Sequence, residues 1–389
     1  MSYLNISEDV LLDKGARHTA REIASQPALW KQTEAKFYSE SEKIGYFIKA
    51  ALEEADHIVL TGAGTSSFIG LSLQGALFTR TRKITQAIAT TDIVSHPHHY
   101  FQATDTVLVI SFARSGNSPE SRAALELADR FSKKCWHLIV TCDEEGALAG
   151  YRSVNPVQVF VLPLDANDKS LAMTGSYTSM LLTGLLLTYL DQQDFCRQQI
   201  DAVVTATERI LKEEADKIRL IASENFQRAV FLGSGSLFGT AKEAALKLQE
   251  LTDGQIVCQA DTYLGFRHGP KAVIDENTLV VYFFNNTHYV QQYESDLLGA
   301  MKTGNRALFQ LGIGDQPVKN EELQAQITLS AKPLVPAEDF LPVCSIVAAQ
   351  LLGFYKSLSL GLLPDAPSVS GAISRVVQGV NIYPVSAGL

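Results

Sequence analysis

Two stretches of the chain, 171 residues apart, read as one construction used twice: a short apolar strand, a Gly-x-Gly-Ser/Thr turn, then a helix-forming run. The first is His57–Thr61 (HIVLT) running into GAGTSS, and the second is Arg228–Leu232 (RAVFL) running into GSGSLFGTAKEAALKLQEL. The next strong strand of each half repeats the offset to within one residue, Val107 against Leu279. Two landmarks at one spacing indicate duplication of a supersecondary plan. Around them, Thr106–Ser111, Trp136–Thr141 and Val157–Leu162 are short β-branched runs, Ile84–Thr90 is a weaker one, and Ser118–Ser132 reads as a helix between strands. The second half offers Thr278–Phe284 and Leu308–Ile313. Strands alternating with helices predict an α/β fold whose parallel sheets are covered on both faces.

At 389 residues the chain is long enough for two cores, and 46% hydrophobic with 19% charged residues is a globular composition. Residues 1 to about 55 read as polar and helical, with Trp30, Phe37, Ile44, Phe47, Ile48 and Leu52 at three- and four-residue spacings over Trp30–Glu54. The polar stretch Asp191–Glu224 marks a junction, and PDAPSVSGAISRVVQGVNIYP reads as an ordered tail. These landmarks divide the chain into a helical segment (1–45), a first domain (46–205), a second domain (206–370) and a tail (371–389). The apolar stretch near Met180–Leu190 is too short and too interrupted to span a bilayer. The N-terminus lacks the pattern of a signal peptide. Cys135, Cys142, Cys196, Cys258 and Cys344 form no CxxC pair, so neither a disulfide framework nor a zinc site is expected, and a reducing cytoplasm suits them. The net charge of −9, without a long basic run, argues against nucleic acid as a partner. A single phosphate is still compatible, because backbone N–H groups and hydroxyls can hold one.

Four motifs carry candidate chemistry. In LTGAGTSS, glycines end a buried strand, and Thr65 and Ser66 open a helix whose unpaired N–H groups favour an anion. The third Gly of a dinucleotide fingerprint is missing at Ser67, and no Walker lysine follows. A plain capped strand–helix turn would read the same way. In ISFARSGNSPES, Ser115, Gly116, Asn117 and Ser118 form a hydroxyl-rich loop after the strongest strand, with Ser111 and Arg114 as further donors. Two such loops at adjacent strand ends favour an anion site, since open α/β sheets take ligands beyond their strand carboxyl ends. In KEAALKLQEL, Glu243, Lys247 and Glu250 share one helix face. Taken alone, that face reads as solvated. In GFRHGPK, His268 alone reads as a surface-loop histidine. His96, His98 and His99 (SHPHHY) have no carboxylate or Cys at ligand spacing, so no metal is expected.

In this order, LTGAGTS, ISFARSGNSPES, EAALKLQEL and GFRHGPKAVID resemble the sugar isomerase (SIS) domain family, over residues from about 45 to the C-terminus. Within it the chain is most similar to the AgaS-type galactosamine-6-phosphate deaminases, also called tagatose-6-phosphate ketose/aldose isomerases. That likeness rests on TTDIVSHP, SFARSGNSPES, GFRHGP and PSVSGAISRVVQGVNIYP. The resemblance implies two three-layer αβα domains with flavodoxin-like, parallel five-stranded sheets. It implies a phosphate cradle of Gly64, Thr65, Ser66, Ser115 and Ser118, a proton-shuttling Glu250, a ring-opening His268 supplied across a homodimer, and Lys247 near the open-chain sugar. LAMTGSYT resembles the family's sugar loop and brings in Thr174, although Met173 stands where a serine is usual. A catalytic lysine near the family's C-terminus has no clear match, Arg375 being only a positional counterpart. No N-terminal Cys nucleophile is present, so glutamine is not expected as an ammonia source.

The implied reaction needs no cofactor. An amino-aldose 6-phosphate is opened with help from His268, and Glu250 carries the C2 proton to C1 through an enolamine. The resulting ketimine is then hydrolysed to a ketose 6-phosphate and ammonia. Simple aldose–ketose isomerisation uses the same shuttle. A non-catalytic phosphosugar sensor would keep the hydroxyl loops without needing Glu250 and His268. The second copy lacks a hydroxyl-rich loop, its equivalent strand ending in FFNNTHY. The first half is therefore expected to hold the phosphate and the second to supply the chemistry.

Overall fold

The computed structural model of the chain describes residues 2–330, 334–377 and 379–385. Its contacts fall into two compact units. One unit comprises residues 31–167 and 175–192 together with the chain from Ser374 onward. The other comprises the chain up to Trp30, Asp168–Thr174 and Gln193–Ile373.

The first unit is built on β1 (His57–Thr61), β2 (Ile84–Ala87), β3 (Thr106–Ala113), β4 (Lys134–Thr141) and β5 (Val157–Val161). All pairs are parallel, in the order β2-β1-β3-β4-β5. Every residue of β3 is buried, as expected of a central strand covered on both faces. Helices α1 (Thr65–Thr81), α2 (Pro119–Phe131) and α3 (Gly175–Thr188) belong to the same unit. A Cβ added at Gly184 of α3 would come within 2.2 Å of Leu73 on α1, so glycine is what allows these helices to approach. The apolar Met180–Leu190 stretch thus lies largely in a core helix, as α3 is buried along its whole length.

The second unit repeats the plan with β6 (Arg228–Leu232), β7 (Val257–Asp261), β8 (Thr278–Phe283), β9 (Phe309–Gly314) and β10 (Ala325–Thr328). Read from the other edge, its order β10-β9-β8-β6-β7 is the order of the first sheet. The expected pair of flavodoxin-like parallel sheets is therefore present. Its helices include α4 (Ser236–Leu251), α5 (His288–Ala300) and α6 (Leu341–Ser359). Gly353 of α6 leaves only 2.8 Å between an added Cβ and Leu251, bringing α6 onto α4.

Some local readings need correction. The weak strand stops at Ala87, and Thr90 instead begins a short helix, Thr90–Ser95. The helix read over Trp30–Glu54 is two helices, Arg17–Ser39 and Ser41–Glu54, separated at Glu40. The first residues are not all helical: Ser2–Tyr3 pairs antiparallel with Ile6–Ser7. The segment Glu338–Ser359 is apolar and long enough to cross a membrane, but its most apolar stretch is 94% buried inside the protein, as a core helix would be.

Candidate active site

The first Gly-x-Gly turn takes its shape from Gly64, whose φ of 54° and ψ of −126° suit glycine and strain other residues. An added Cβ there would meet nothing within 4 Å, so backbone conformation and not crowding selects the residue. Thr65 and Ser66 follow at the start of α1, both buried. The Gly64 carbonyl accepts from the Ser67 amide at 2.9 Å and the Ser67 hydroxyl at 2.6 Å, which closes the first turn.

The second loop leaves the end of β3. Gly116 has a φ of 65°, and its carbonyl accepts the Leu148 amide at 3.1 Å. Asn117 is exposed and uses its side-chain oxygen to accept the Ala147 amide at 2.9 Å, pinning the loop to the segment after β4. The Ser115 hydroxyl accepts the Asn117 amide at 3.3 Å, and Ser118 shares a 2.5 Å hydrogen bond with Ser121. Pro119 and Glu120 occupy the first turn of α2. Arg114 does not face solvent: it is buried and donates to the Arg375 carbonyl at 2.6 Å, while Arg375 donates to Asn167 at 2.5 Å. The tail residue that resemblance offered only by position is thus tied to this loop.

Three buried hydroxyls at this end of the sheet, Thr61, Thr90 and Ser111, have no hydrogen-bond partner among the described residues. Thr61 and Ser111 are opposite each other in register, and the Thr90 amide donates to the Gly62 carbonyl at 2.9 Å. Buried hydroxyls are ordinarily satisfied, so this group is suited to a polar ligand or water. Ser111 was expected here. Thr61 and Thr90 were not, although hydroxyl residues closing one strand and following another were a readable signal.

In the second unit, α4 carries Glu243, Lys247 and Glu250. Lys247 is wholly buried, lies 3.6 Å from Glu243 and hydrogen-bonds to Glu250. Glu243 is also wholly buried, whereas the Glu250 side chain keeps 21% of its exposure. The solvated face suggested by the local charge pattern is therefore a mostly buried ionic group with one accessible carboxylate. Burying charge is costly unless it is paired, and here it is paired. His268 sits in an exposed turn between the helix Tyr263–Phe266 and Gly269, whose φ is 121°.

Thr174 is fully buried, and its amide and hydroxyl both donate to Asp168, at 2.7 and 3.4 Å. The neighbouring Glu22 carboxylate accepts from the Lys169 and Ser170 amides at 2.6 and 3.3 Å and from the Ser170 hydroxyl. Burial and the nearby charge of Asp168 push Glu22 up to about 7. Met173, in the place of the family's serine, is buried too.

The SIS domain family profile matches residues 51–190. The D-galactosamine-6-phosphate deaminase AgaS of Shewanella sp. (strain ANA-3) is 38% identical over 389 residues, covering 98% of this chain and 96% of the relative. The chain belongs to the SIS domain family, in its AgaS-type group. A solved structure from Clostridium novyi NT is 39% identical, covers 99% of this chain and 100% of its own, and superposes with a TM-score of 0.95. The tagatose-6-phosphate ketose/aldose isomerase of Escherichia coli is 32% identical, with 95% and 97% coverage and a TM-score of 0.84.

In this AgaS-type chain His96 precedes a short 3-10 helix, Pro97–His99, that carries His98 and His99, with the His96 and His99 rings 5.0 Å apart. A different trio, Asp129, Cys135 and His137, brings possible ligand atoms within 4.8 Å of one another. Asp129 is nevertheless engaged by protein donors: His137 (2.7 Å), Tyr151 (2.6 Å), Ser153 (2.7 Å) and Asn155 (2.8 Å). Burial alone would raise its pKa, but these bonds outweigh that and hold it well below the usual carboxylate range.

Proposed function

We propose that the chain converts galactosamine 6-phosphate to tagatose 6-phosphate and ammonia. The observation that carries this reading is the accessible Glu250 carboxylate fixed by buried Lys247, in a chain alike over nearly its whole length to a D-galactosamine-6-phosphate deaminase. Thr65, Ser66, Ser115 and Ser118 are assigned to the phosphate, with Gly64 and Gly116 shaping the two turns. Ser111 and Arg114 support the loop, and Asn117 anchors it. Binding at the phosphate, remote from the reacting carbons, positions them without taking part in chemistry.

His268 transfers the proton needed for ring opening, a general acid–base role that an imidazole side chain commonly fills. Glu250 removes the proton at C2 of the open-chain aldehyde, and the electron pair forms the C1–C2 double bond of the enolamine as the C1 oxygen is protonated. The same carboxyl returns the proton to C1, giving a ketimine at C2. Water adds there and ammonia leaves. Lys247 holds the Glu250 carboxylate in place through their hydrogen bond. Thr174 acts through the Asp168 loop.

A coupled ammonia assay on galactosamine, glucosamine and N-acetylated 6-phosphates tests the substrate. Ammonia should appear with the free amino sugars and fastest with the galacto isomer. No ammonia from any of them, with turnover of tagatose 6-phosphate, would establish the second reading, plain aldose–ketose isomerisation. That reading is supported by the name given to the Escherichia coli relative.

His268 is assigned to the site of a second copy in a homodimer. Mixing Glu250→Gln and His268→Ala chains after unfolding and refolding should then recover about a quarter of wild-type activity, since half the dimers carry one complete site. No recovery would place His268 within its own chain's site.

A further inference from the structure

The second Gly-x-Gly turn keeps the geometry of the first. Gly235 has φ 59° and ψ −128°, against 54° and −126° at Gly64, and again an added Cβ would meet nothing within 4 Å. The sheet register also corresponds: Leu232 faces Tyr282 as Thr61 faces Ser111. Asn285 therefore occupies the chain position of Arg114, and Thr287 that of Gly116. The following helix begins at His288, two residues sooner than Pro119 in the first copy.

This second loop is not empty of an anion. Glu338 accepts from the Asn285 side-chain amide at 2.8 Å with one carboxylate oxygen and from the Thr287 hydroxyl at 2.6 Å with the other. Its main-chain carbonyl accepts from the Ser236 hydroxyl, in the first turn of α4, at 3.4 Å. Glu338 thus touches both elements that correspond to the first unit's hydroxyl loops. Close by, Glu294 is buried and both its oxygens take the Asn285 amide, at 3.1 and 3.2 Å. A phosphate placed on these same donors would meet the Glu338 charge directly.

We propose that the second repeat is an anion site whose resident anion is the chain's own Glu338 carboxylate, held by Asn285 and Thr287. This internal occupant excludes a sugar phosphate or inorganic phosphate from the second copy, and so makes the chain bind one phosphate and not two. The count of one rests on the reading of Thr65, Ser66, Ser115 and Ser118 as the working cradle.

The test is calorimetric titration of the full chain with inorganic phosphate and with galactosamine 6-phosphate. Wild type should bind one phosphate group per chain, and the Ser115→Ala, Ser118→Ala pair should remove it. Adding Glu338→Ala to that pair should restore saturable binding of inorganic phosphate, and Glu338→Ala alone should bind two per chain. Glu338→Gln, which fills the same space, should bind one. If Glu338→Ala unfolds in anion-free buffer, phosphate or acetate should refold it where chloride at equal ionic strength does not. Two phosphates bound to wild type overturns the proposal. So does a folded Glu338→Ala chain that gains no site, or an unfolded one that neither anion rescues. Unchanged binding in the Ser115, Ser118 pair, with a gain in Glu338→Ala, would overturn the first-cradle reading while leaving Glu338 in its role.

Discussion

Lys247 and Glu250 are hydrogen-bonded one turn apart on α4, the lysine without solvent contact and the glutamate reaching the surface. The pair gives Glu250 a fixed orientation beside a buried ammonium group. On the other side of the same lysine, Glu243 is buried and 3.6 Å away. Lys247 therefore links a structural carboxylate to the one assigned to proton transfer.

Replacing Lys247 by Met should be costly in both stability and rate. Losing one member of a buried ionic group typically destabilises by about 3–5 kcal/mol, because the remaining charge is left uncompensated. A Glu243→Gln, Lys247→Met double variant should recover part of that loss in denaturant unfolding, while kcat stays low. Full recovery of kcat in the double variant would show that Lys247 is only structural.

Gly64 and Gly235 separate backbone strain from ligand binding. Substituting Ala at either forces a residue with a Cβ into the same strained conformation, at a cost of about 1–3 kcal/mol. Thermal unfolding should show similar losses for the two. KM for the sugar phosphate should rise only for Gly64→Ala, whose turn leads to Thr65 and Ser66. A matching rise for Gly235→Ala would contradict the assignment of the phosphate to the first copy.

Glu22 gives the fold a pH dependence of known sign. Its pKa is raised to about 7 by burial and by Asp168, against about 4.3 for an exposed glutamate. Between these values the folded chain holds a proton that the unfolded chain has lost, so stability must fall as pH rises. The contribution is complete below about pH 4.3 and is lost as pH passes 7. Glu22→Gln should melt with a flatter profile between pH 5 and about 8. An unchanged slope would mean that Glu22 titrates normally.

The sequence disclosed what depends on local pattern and hid what depends on position in the sheet. Strands β1, β3, β4, β6 and β8 are apolar runs and were readable. β7 (VCQAD) and β10 (AQIT) lie at the two edges of their sheet, are mostly only half-buried, and carry polar residues that conceal them. The apolar run of α6 was hidden for another reason: a fully buried helix has no polar face to give a periodic signal. The hydroxyls proposed to hold the phosphate were noticeable because they cluster in two short loops. The burial of Glu243 and Lys247 was not, since charges at helical spacing look alike on a solvated face and against a core. Glu338 lies 51 residues beyond Thr287, so nothing local could associate them.

The most direct measurement of the central claim is turnover against binding in Glu250→Gln. The substitution keeps the side chain's size but removes the base, and a positioned acid–base group contributes roughly 10²–10⁴-fold to rate. Ammonia release from galactosamine 6-phosphate, and exchange of its C2 hydrogen with solvent, should fall by at least about a hundredfold while calorimetric affinity stays close to wild type. Near-wild-type turnover in Glu250→Gln would contradict it.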